Sequence, residues 1–336
     1  MSDIAKELSR VLNGQYTLSL TLDLQSSHKF IVLSDQHKGA GDKADEFRKC
    51  MATYQAALKH YLQNDFTLIL LGDVEELWEQ GFKEVEQTYK EMMQLEGSFP
   101  AGRYYRIYGN HDDDWMSDRK VRKKLTPYMP TGAVYEAIRF ELVNVSQSVG
   151  TMLLLHGHQG TFESDRIRWL SRWAVRVYRT IQRLTGIGKQ TPAKDACLRG
   201  KHDTKMYEWA VKQSKLVLVC GHTHRPVWSS RNHLQKLQAE LKELQAGPDT
   251  EEQRELIRAK ELEVQQREQK YPPCEDTIKT SPVYFNTGCC KFDDGDITGI
   301  EIEDGTIRLI KWSSENQQRK ELEKEQLVKI FAHIKS

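Results

Sequence analysis

Short apolar runs, each ending in a polar turn, alternate along this chain with longer segments of helical period. FIVLSD, FTLILLGD, YYRIYGNHD, TMLLLHGH, LVLVCGHTH and VYFNTGCC each read as a buried strand that stops at a polar turn. Between the first two, Phe47, Met51, Tyr54, Leu58 and Tyr61 recur at three- and four-residue steps and predict one apolar helix face. Strand, helix and strand in that order imply parallel pairing through a right-handed crossover. Toward the end, ITGIEIEDGTIRLIKW alternates about Asp304-Gly305, the pattern of a hairpin with a tight turn. The predicted class is α/β.

Two segments break the alternation. Residues 162–214 are helical in pattern and rich in arginine and tryptophan. Residues 230–269 are almost wholly charged or glutamine, apart from Leu234, Leu237, Leu241 and Leu244 at 3-4-3 spacing. Gly247 and Pro248 stop a helix there, and Asp249 or Thr250 caps the next. That segment therefore predicts an antiparallel helical hairpin inserted between two core strands. The expectation is one domain over 1–336 that carries a helical cap (162–214) and a charged hairpin (230–269).

A chain of 336 residues is long for one domain but reachable with insertions. Lys plus Arg number 49 and Asp plus Glu 48, a balance that gives no support for nucleic-acid binding. No apolar run approaches the roughly 18–20 residues of a membrane span. The opening MSDIAKELSRVLNG lacks the apolar core of a signal peptide. Cys50, Cys197, Cys220, Cys274, Cys289 and Cys290 show no CxxC spacing and read as reduced thiols, so a cytoplasmic protein is expected.

The strand ends carry the candidate chemistry. Asp35 and His37 follow the first strand, Asp73 the second, Asn110 and His111 the third. His156 and His158 follow the fourth, and His222 and His224 the fifth. One Asp or His in such a place is more often a turn former or a cap. Five successive strand ends with oxygen or imidazole donors are another matter, because ligands of open α/β sheets collect at the carboxyl ends of the strands. Two carboxylates, an amide oxygen and several imidazoles suit Mn²⁺, Fe or Zn²⁺ rather than an all-oxygen Ca²⁺ or Mg²⁺ cage. Two divalent ions are expected, Mn²⁺ foremost. Cys220, one residue before the last turn, reads as packing.

The blocks SDQHKG, LGDVEELWE, YGNHDDDW, LLLHGHQG and CGHTHRP occur in that order. Over roughly residues 28–312 the chain thereby resembles the calcineurin-like metallophosphoesterase superfamily. The resemblance implies a β-sandwich flanked by helices. It implies Asp35, His37, Asp73 and His224 around one metal and Asp73, Asn110, His156 and His222 around the other, with Asp73 bridging. The implied reaction is hydrolysis of a phosphomonoester, phosphodiester or pyrophosphate by a hydroxide held between the metals. His111 is implied as the acid or transition-state stabiliser, and Asp112 as the residue that orients it. His158 is expected behind the ligands or toward substrate.

GDVEELWE is also similar to the G-D-x-x-E-x-W block of bacterial UDP-2,3-diacylglucosamine hydrolases, which cleave a pyrophosphate in lipid A synthesis. The chain departs from them at Gly109-Asn110-His111-Asp112, where they have G-N-R-D, and at His156-Gly157-His158, where they have H-G-D. They also lack the 230–269 hairpin. The 162–214 segment sits where those enzymes carry a substrate cap. In it, Arg166, Arg168, Arg172, Arg176, Arg179 and Arg183 surround Trp169, Trp173 and Tyr178. Arg168, Arg172 and Arg176 are the candidate contacts to a phosphorylated small-molecule or lipid substrate. Peripheral membrane contact and a plain solvated helix are the alternatives. The 230–269 hairpin is a candidate contact for a protein partner or for self-association, or else a solvated spur. A partner-binding scaffold of this fold and a nuclease are the competing functions. The complete ligand set and His111 count against the first, and the balanced charge against the second.

Overall fold

The computed structural model describes residues 3–160, 196–247, 250–270 and 281–334. Helix α1 (Asp3–Leu12) leads to strands β1 (Thr17–Asp23) and β2 (Phe30–Leu33), then α2 (Phe47–Gln63), β3 (Thr67–Leu71), α3 (Phe82–Glu96), β4 (Tyr104–Ile107) and α4 (Asp118–Lys124). Next come β5 (Ala137–Asn144), β6 (Gln147–Leu155), α5 (Ala196–Ala210), β7 (Leu216–Cys220), β8 (Pro226–Trp228) and β9 (Arg231–Asn232). Helices α6 (His233–Gln245) and α7 (Glu251–Lys270) precede β10 (Tyr284–Thr287), β11 (Ile297–Glu303), β12 (Thr306–Trp312), β13 (Arg319–Gln326) and α8 (Leu327–Ala332).

The strands form two mixed sheets. One has seven strands in the order β1-β5-β6-β7-β10-β8-β9, the other six in the order β13-β12-β11-β2-β3-β4. The expected parallel pairs are present: β2 with β3, β3 with β4, β6 with β7, and β7 with β10. The pleat sorts β2 residue by residue. Phe30 and Val32 join Ile69, Leu71, Leu154 and Val217 in the core shared by the two sheets. Ile31 and Leu33 instead join Tyr54, Leu58 and Val85 under α2 and α3. Helices α1 and α5 pack on the seven-stranded sheet through Leu8, Val11, Met206 and Trp209. The architecture is the expected sandwich flanked by helices.

Local expectations fare well, with one exception. Four of the five residues assigned to the α2 face are buried, whereas Met51 is 42% exposed. The β11–β12 turn has φ of 50° at Asp304 and 64° at Gly305, the two left-handed residues that a tight hairpin turn needs. No helix among the described residues is long and apolar enough to cross a membrane.

Of the arginine-rich segment, residues 162–195 lie outside the described residues, and Arg168, Arg172 and Arg176 with them. Its last part forms α5. Helices α6 and α7 occupy the charged stretch and pack on each other. Thr250 caps α7 by accepting the Gln253 N–H at 3.2 Å; Pro248 and Asp249 lie outside the described residues. The pair is fastened at its base, where Leu237 and Val264 are buried and Lys236 pairs with Glu323 of β13. Beyond these anchors the helices expose Leu256 and Leu262. Packed helix axes lie about 8–10 Å apart, a gap that a few residues close. Replacing residues 239–262 by a four-residue Gly/Ser turn is therefore expected to leave the melting temperature within about 4 °C and the metal content unchanged. A calorimetric scan with metal analysis checks this; loss of metal would show that the distal hairpin supports the site.

Candidate metal centre

Each candidate ligand sits where a buried strand ends and the chain turns sharply. The backbone is left-handed at Asp35 (φ 56°), His37 (49°), Asp73 (52°), His222 (69°) and His224 (55°). Such conformations cost on the order of 1–3 kcal/mol for a non-glycine residue, so the surroundings must enforce them. Bonds between the turns do so: Asp35 N–H to Gly72 O (3.1 Å), His37 N–H to Asp73 O (2.8 Å) and Gly221 N–H to His156 O (3.0 Å). Close approach explains two glycines of the motifs. A Cβ at Gly109 would strike Asp73, and one at Gly221 would strike Asp35 and Ser34.

The donors gather in two groups that meet at one oxygen. Asp35, His37 and His224 form the first, and Asp73, His156 and His222 the second, each with its donor atoms within 4.8 Å of one another. In the first, His224 Nε2 lies 3.1 Å from Asp35 Oδ1 and 3.3 Å from His37 Nε2. Asp73 Oδ2 faces both groups, 3.4 Å from His37 Nε2 and 3.1 Å from His156 Nε2. Asp73 Oδ1 is engaged elsewhere, accepting the His111 N–H at 2.8 Å. His156 Nδ1 donates to Leu71 O at 2.9 Å, which leaves Nε2 as its ligand atom.

The donor set fits divalent cations. Asn110 Oδ1 is buried without a hydrogen-bond partner, and His156 Nε2, though 3.1 Å from Asp73 Oδ2, is not aligned for a hydrogen bond to it. Buried polar atoms are rarely left so. Both belong to residues expected to ligate the second metal. Charge points the same way. Burial works to raise the Asp35 and Asp73 carboxyls, yet the surrounding histidines, His224 and His156 chief among them, hold both well below the usual carboxylate range. Burial pushes His222 well down, and burial with Lys291 brings His224 to about 4, so both imidazoles are neutral and able to ligate.

His111 meets His37 and Glu76 in a third set of donors within 4.8 Å, its ring 4.6 Å from that of His37 between centroids. Burial would lower it, but the Glu76 and Asp73 carboxylates push it up to about 9, so it carries a proton at neutral pH. Its Nδ1 lies 2.8 Å from Glu76 Oε1, and its ring stacks on Trp78 at 4.4 Å between centroids. The other Glu76 oxygen lies 2.8 Å from His37 Nδ1. This corrects the expectation for Asp112: Glu76 orients His111. The Asp112 carboxylate is taken up by backbone instead. It accepts the backbone N–H groups of Gly109 (2.6 Å), Val74 (3.0 Å) and Asp73 (3.3 Å), so it ties the second strand-end turn to the third. Glu76 was visible in GDVEELWE, three residues after Asp73, but nothing in the spacing shows which histidine it meets. His158 is buried beside its neighbour His156 and Tyr108, with ring centroids at 5.5 and 6.1 Å. A small open pocket lies beside His37 and Glu76, with Asp45, Glu46 and Lys291 in its wall.

Behind the turns lies a buried ionic layer that the sequence did not reveal. Arg106 pairs with Glu75 and reaches Asp112 at 3.4 Å. Lys38 Nζ binds both oxygens of Glu96 at 2.7 Å. Trp115 Nε1 donates to Glu75 at 3.0 Å. Removing one partner of a buried pair strands the other charge, at about 3–5 kcal/mol. Arg106→Met is expected to lose that much stability in urea denaturation; a loss below about 1 kcal/mol would show that water reaches Glu75 and Asp112.

A two-sheet sandwich with clustered aspartates and histidines at the strand ends defines a metal-dependent phosphoesterase, a hydrolase. The chain belongs to the calcineurin-like phosphoesterase family, whose model matches residues 28–226. Among solved structures it is similar to a cold-active protein-tyrosine phosphatase of a psychrophilic Shewanella species, with 12% identity, 93% of this chain and 85% of that chain covered, and a TM-score of 0.35. It is also similar to a predicted phosphoesterase of Streptococcus pneumoniae TIGR4, with 12% identity, 88% and 97% covered, and a TM-score of 0.29. No curated protein matches the chain in sequence.

Proposed function

We propose that the chain hydrolyses a phosphomonoester, phosphodiester or pyrophosphate at a centre of two divalent metals. One observation carries this reading: Asp73 Oδ2 faces His37 Nε2 at 3.4 Å and His156 Nε2 at 3.1 Å, so a single carboxylate serves both donor groups. Asp35, His37, Asp73 and His224 would hold one ion, and Asp73, Asn110, His156 and His222 the other. Mixed imidazole and oxygen donors favour Mn²⁺, with Fe or Zn²⁺ as the other candidates. When bound, two such cations neutralise phosphoryl oxygens and acidify water. His111, with Nδ1 committed to Glu76, offers its Nε2 proton to the leaving oxygen. Trp78 covers one face of that ring. Arg168, Arg172 and Arg176 would grip the far end of a phosphorylated small-molecule or lipid substrate.

Turnover of bis-p-nitrophenyl phosphate and p-nitrophenyl phosphate, with and without Mn²⁺, tests the reading. The expected result is hydrolysis that needs added metal and disappears with a chelator. A protein that binds two metals and turns over no mono-, di- or pyrophosphate ester would be a scaffold instead.

A further inference from the structure

The two histidines of the GHTH turn point to different donor groups from left-handed positions one residue apart; Gly221 N–H to His156 O and His222 N–H to Asp35 Oδ2, both 3.0 Å, hold only the start of the turn. Something further has to hold the rest. The residue between them, Thr223, is buried, and three groups seize it. Its Oγ1 donates to Asp203 Oδ1 at 3.0 Å, its carbonyl accepts Arg199 Nη1 at 3.4 Å, and Asn286 Nδ2 lies 3.3 Å from its hydroxyl. Asp203 and Arg199 both come from α5. Asp203 is itself fixed, because Tyr284 OH donates to the same Oδ1 at 2.8 Å. The neighbouring His202 reaches the HGH turn. Its Nε2–H donates to Gly157 O at 2.7 Å, and its ring meets that of His222 edge-on at 5.2 Å between centroids. His222 is thereby flanked by His202 on one side and by His156, also 5.2 Å away, on the other.

We propose that Asp203, helped by His202, is a positioning residue for the metal centre: through the Thr223 hydroxyl it holds the GHTH turn so that His222 and His224 each face their own donor group. It touches neither metal nor substrate. It acts as hydrogen-bonded supports of ligands do, by denying the ligands their other orientations. Without it, the left-handed backbone on either side of Thr223 would keep the His222 N–H bond to Asp35 but lose its other main restraint, and the imidazoles would drift from place. The proposal rests on the reading that these histidines ligate cations.

Co²⁺ titration, followed by calorimetry and by the visible absorption of the bound ion, tests it without any turnover assay. Asp203→Ala and Thr223→Val are each expected to weaken Co²⁺ binding by about ten- to a hundredfold and to change the absorption band. Asp203→Asn keeps an Oδ1 that accepts both hydroxyls, and should stay within about threefold of the parent, well short of the tenfold that 1.4 kcal/mol represents. Parental affinity and band in both Asp203→Ala and Thr223→Val would overturn the proposal. So would Asp203→Asn binding as weakly as Asp203→Ala, since charge and not the hydrogen bond would then be at work. If Asp203→Ala fails to fold, Thr223→Val decides, because it leaves the Asp203–Tyr284 bond intact. Asp73→Asn run alongside separates the two readings. Two Co²⁺ ions retained there would overturn Asp73 as the shared ligand and leave this proposal to Thr223→Val. Metal lost there but unaffected in Thr223→Val would overturn this proposal alone.

Discussion

Asp73→Asn is expected to abolish turnover and to strip metal from the protein. The side chain has one oxygen for the His111 backbone and one for both donor groups. An amide that presents its oxygen to the His111 N–H turns its NH₂ toward the groups that should be receiving cations. One that presents its oxygen to the cations turns the NH₂ against the His111 N–H. Either arrangement would also remove the negative charge between the two dications of the proposed centre, which would be the largest charges there. A loss in kcat of more than about 10³-fold, roughly 4 kcal/mol, should accompany substoichiometric metal. Metal analysis after gel filtration, beside initial rates, checks both halves. Near-parental rates with two ions bound would show that Asp73 is not the bridge.

The second large effect separates chemistry from metal binding. His111→Ala should keep two metals and lower kcat by on the order of 10²–10⁴-fold. The size should depend on the leaving group. A p-nitrophenolate departs without a proton and needs the imidazole least; an alkoxide needs it most. A series of aryl and alkyl esters therefore distinguishes an acid from a group that only shapes the pocket, for which the loss would be uniform. The geometry also defines the rival outcome. His37, Glu76 and His111 form a third group of donors within 4.8 Å. If the metal content fell in His111→Ala, that group would be a ligand set and the acid would have to be sought elsewhere.

What could be read from the chain followed from burial. A strand covered on both sides is written as an unbroken apolar run, and β2, β3 and β7 are buried at every residue. Their ends stand out because polar residues there interrupt such runs. Strands without this cover left no comparable signal. β13 alternates half-buried and exposed residues in RKELEKEQ, a composition that suits a solvated helix equally well. β1 lies at a sheet edge with most of its residues partly exposed. At the site, nine donor candidates stood out because each belongs to a strand end; only the resemblance singled out seven of them as ligands. The partners of those residues were not legible. Glu76 and Asp112 differ in role only through the direction of their side chains. Asp203 reaches Thr223 only because α5 packs against β7 and β10, an arrangement with no local trace in KHDTKMYEW.

The sharing of Glu76 bears on how such an enzyme can change over evolutionary time. One carboxylate braces His37, at the edge of a donor group, and also His111. On the proposed reading, a substitution there that retuned His111 for a new leaving group would also loosen the metal beside His37. On that reading, selection for an altered substrate range would find its shortest route closed. The accessible change lies one residue further out, at Trp78 against the imidazole face, where neither contact of Glu76 is disturbed.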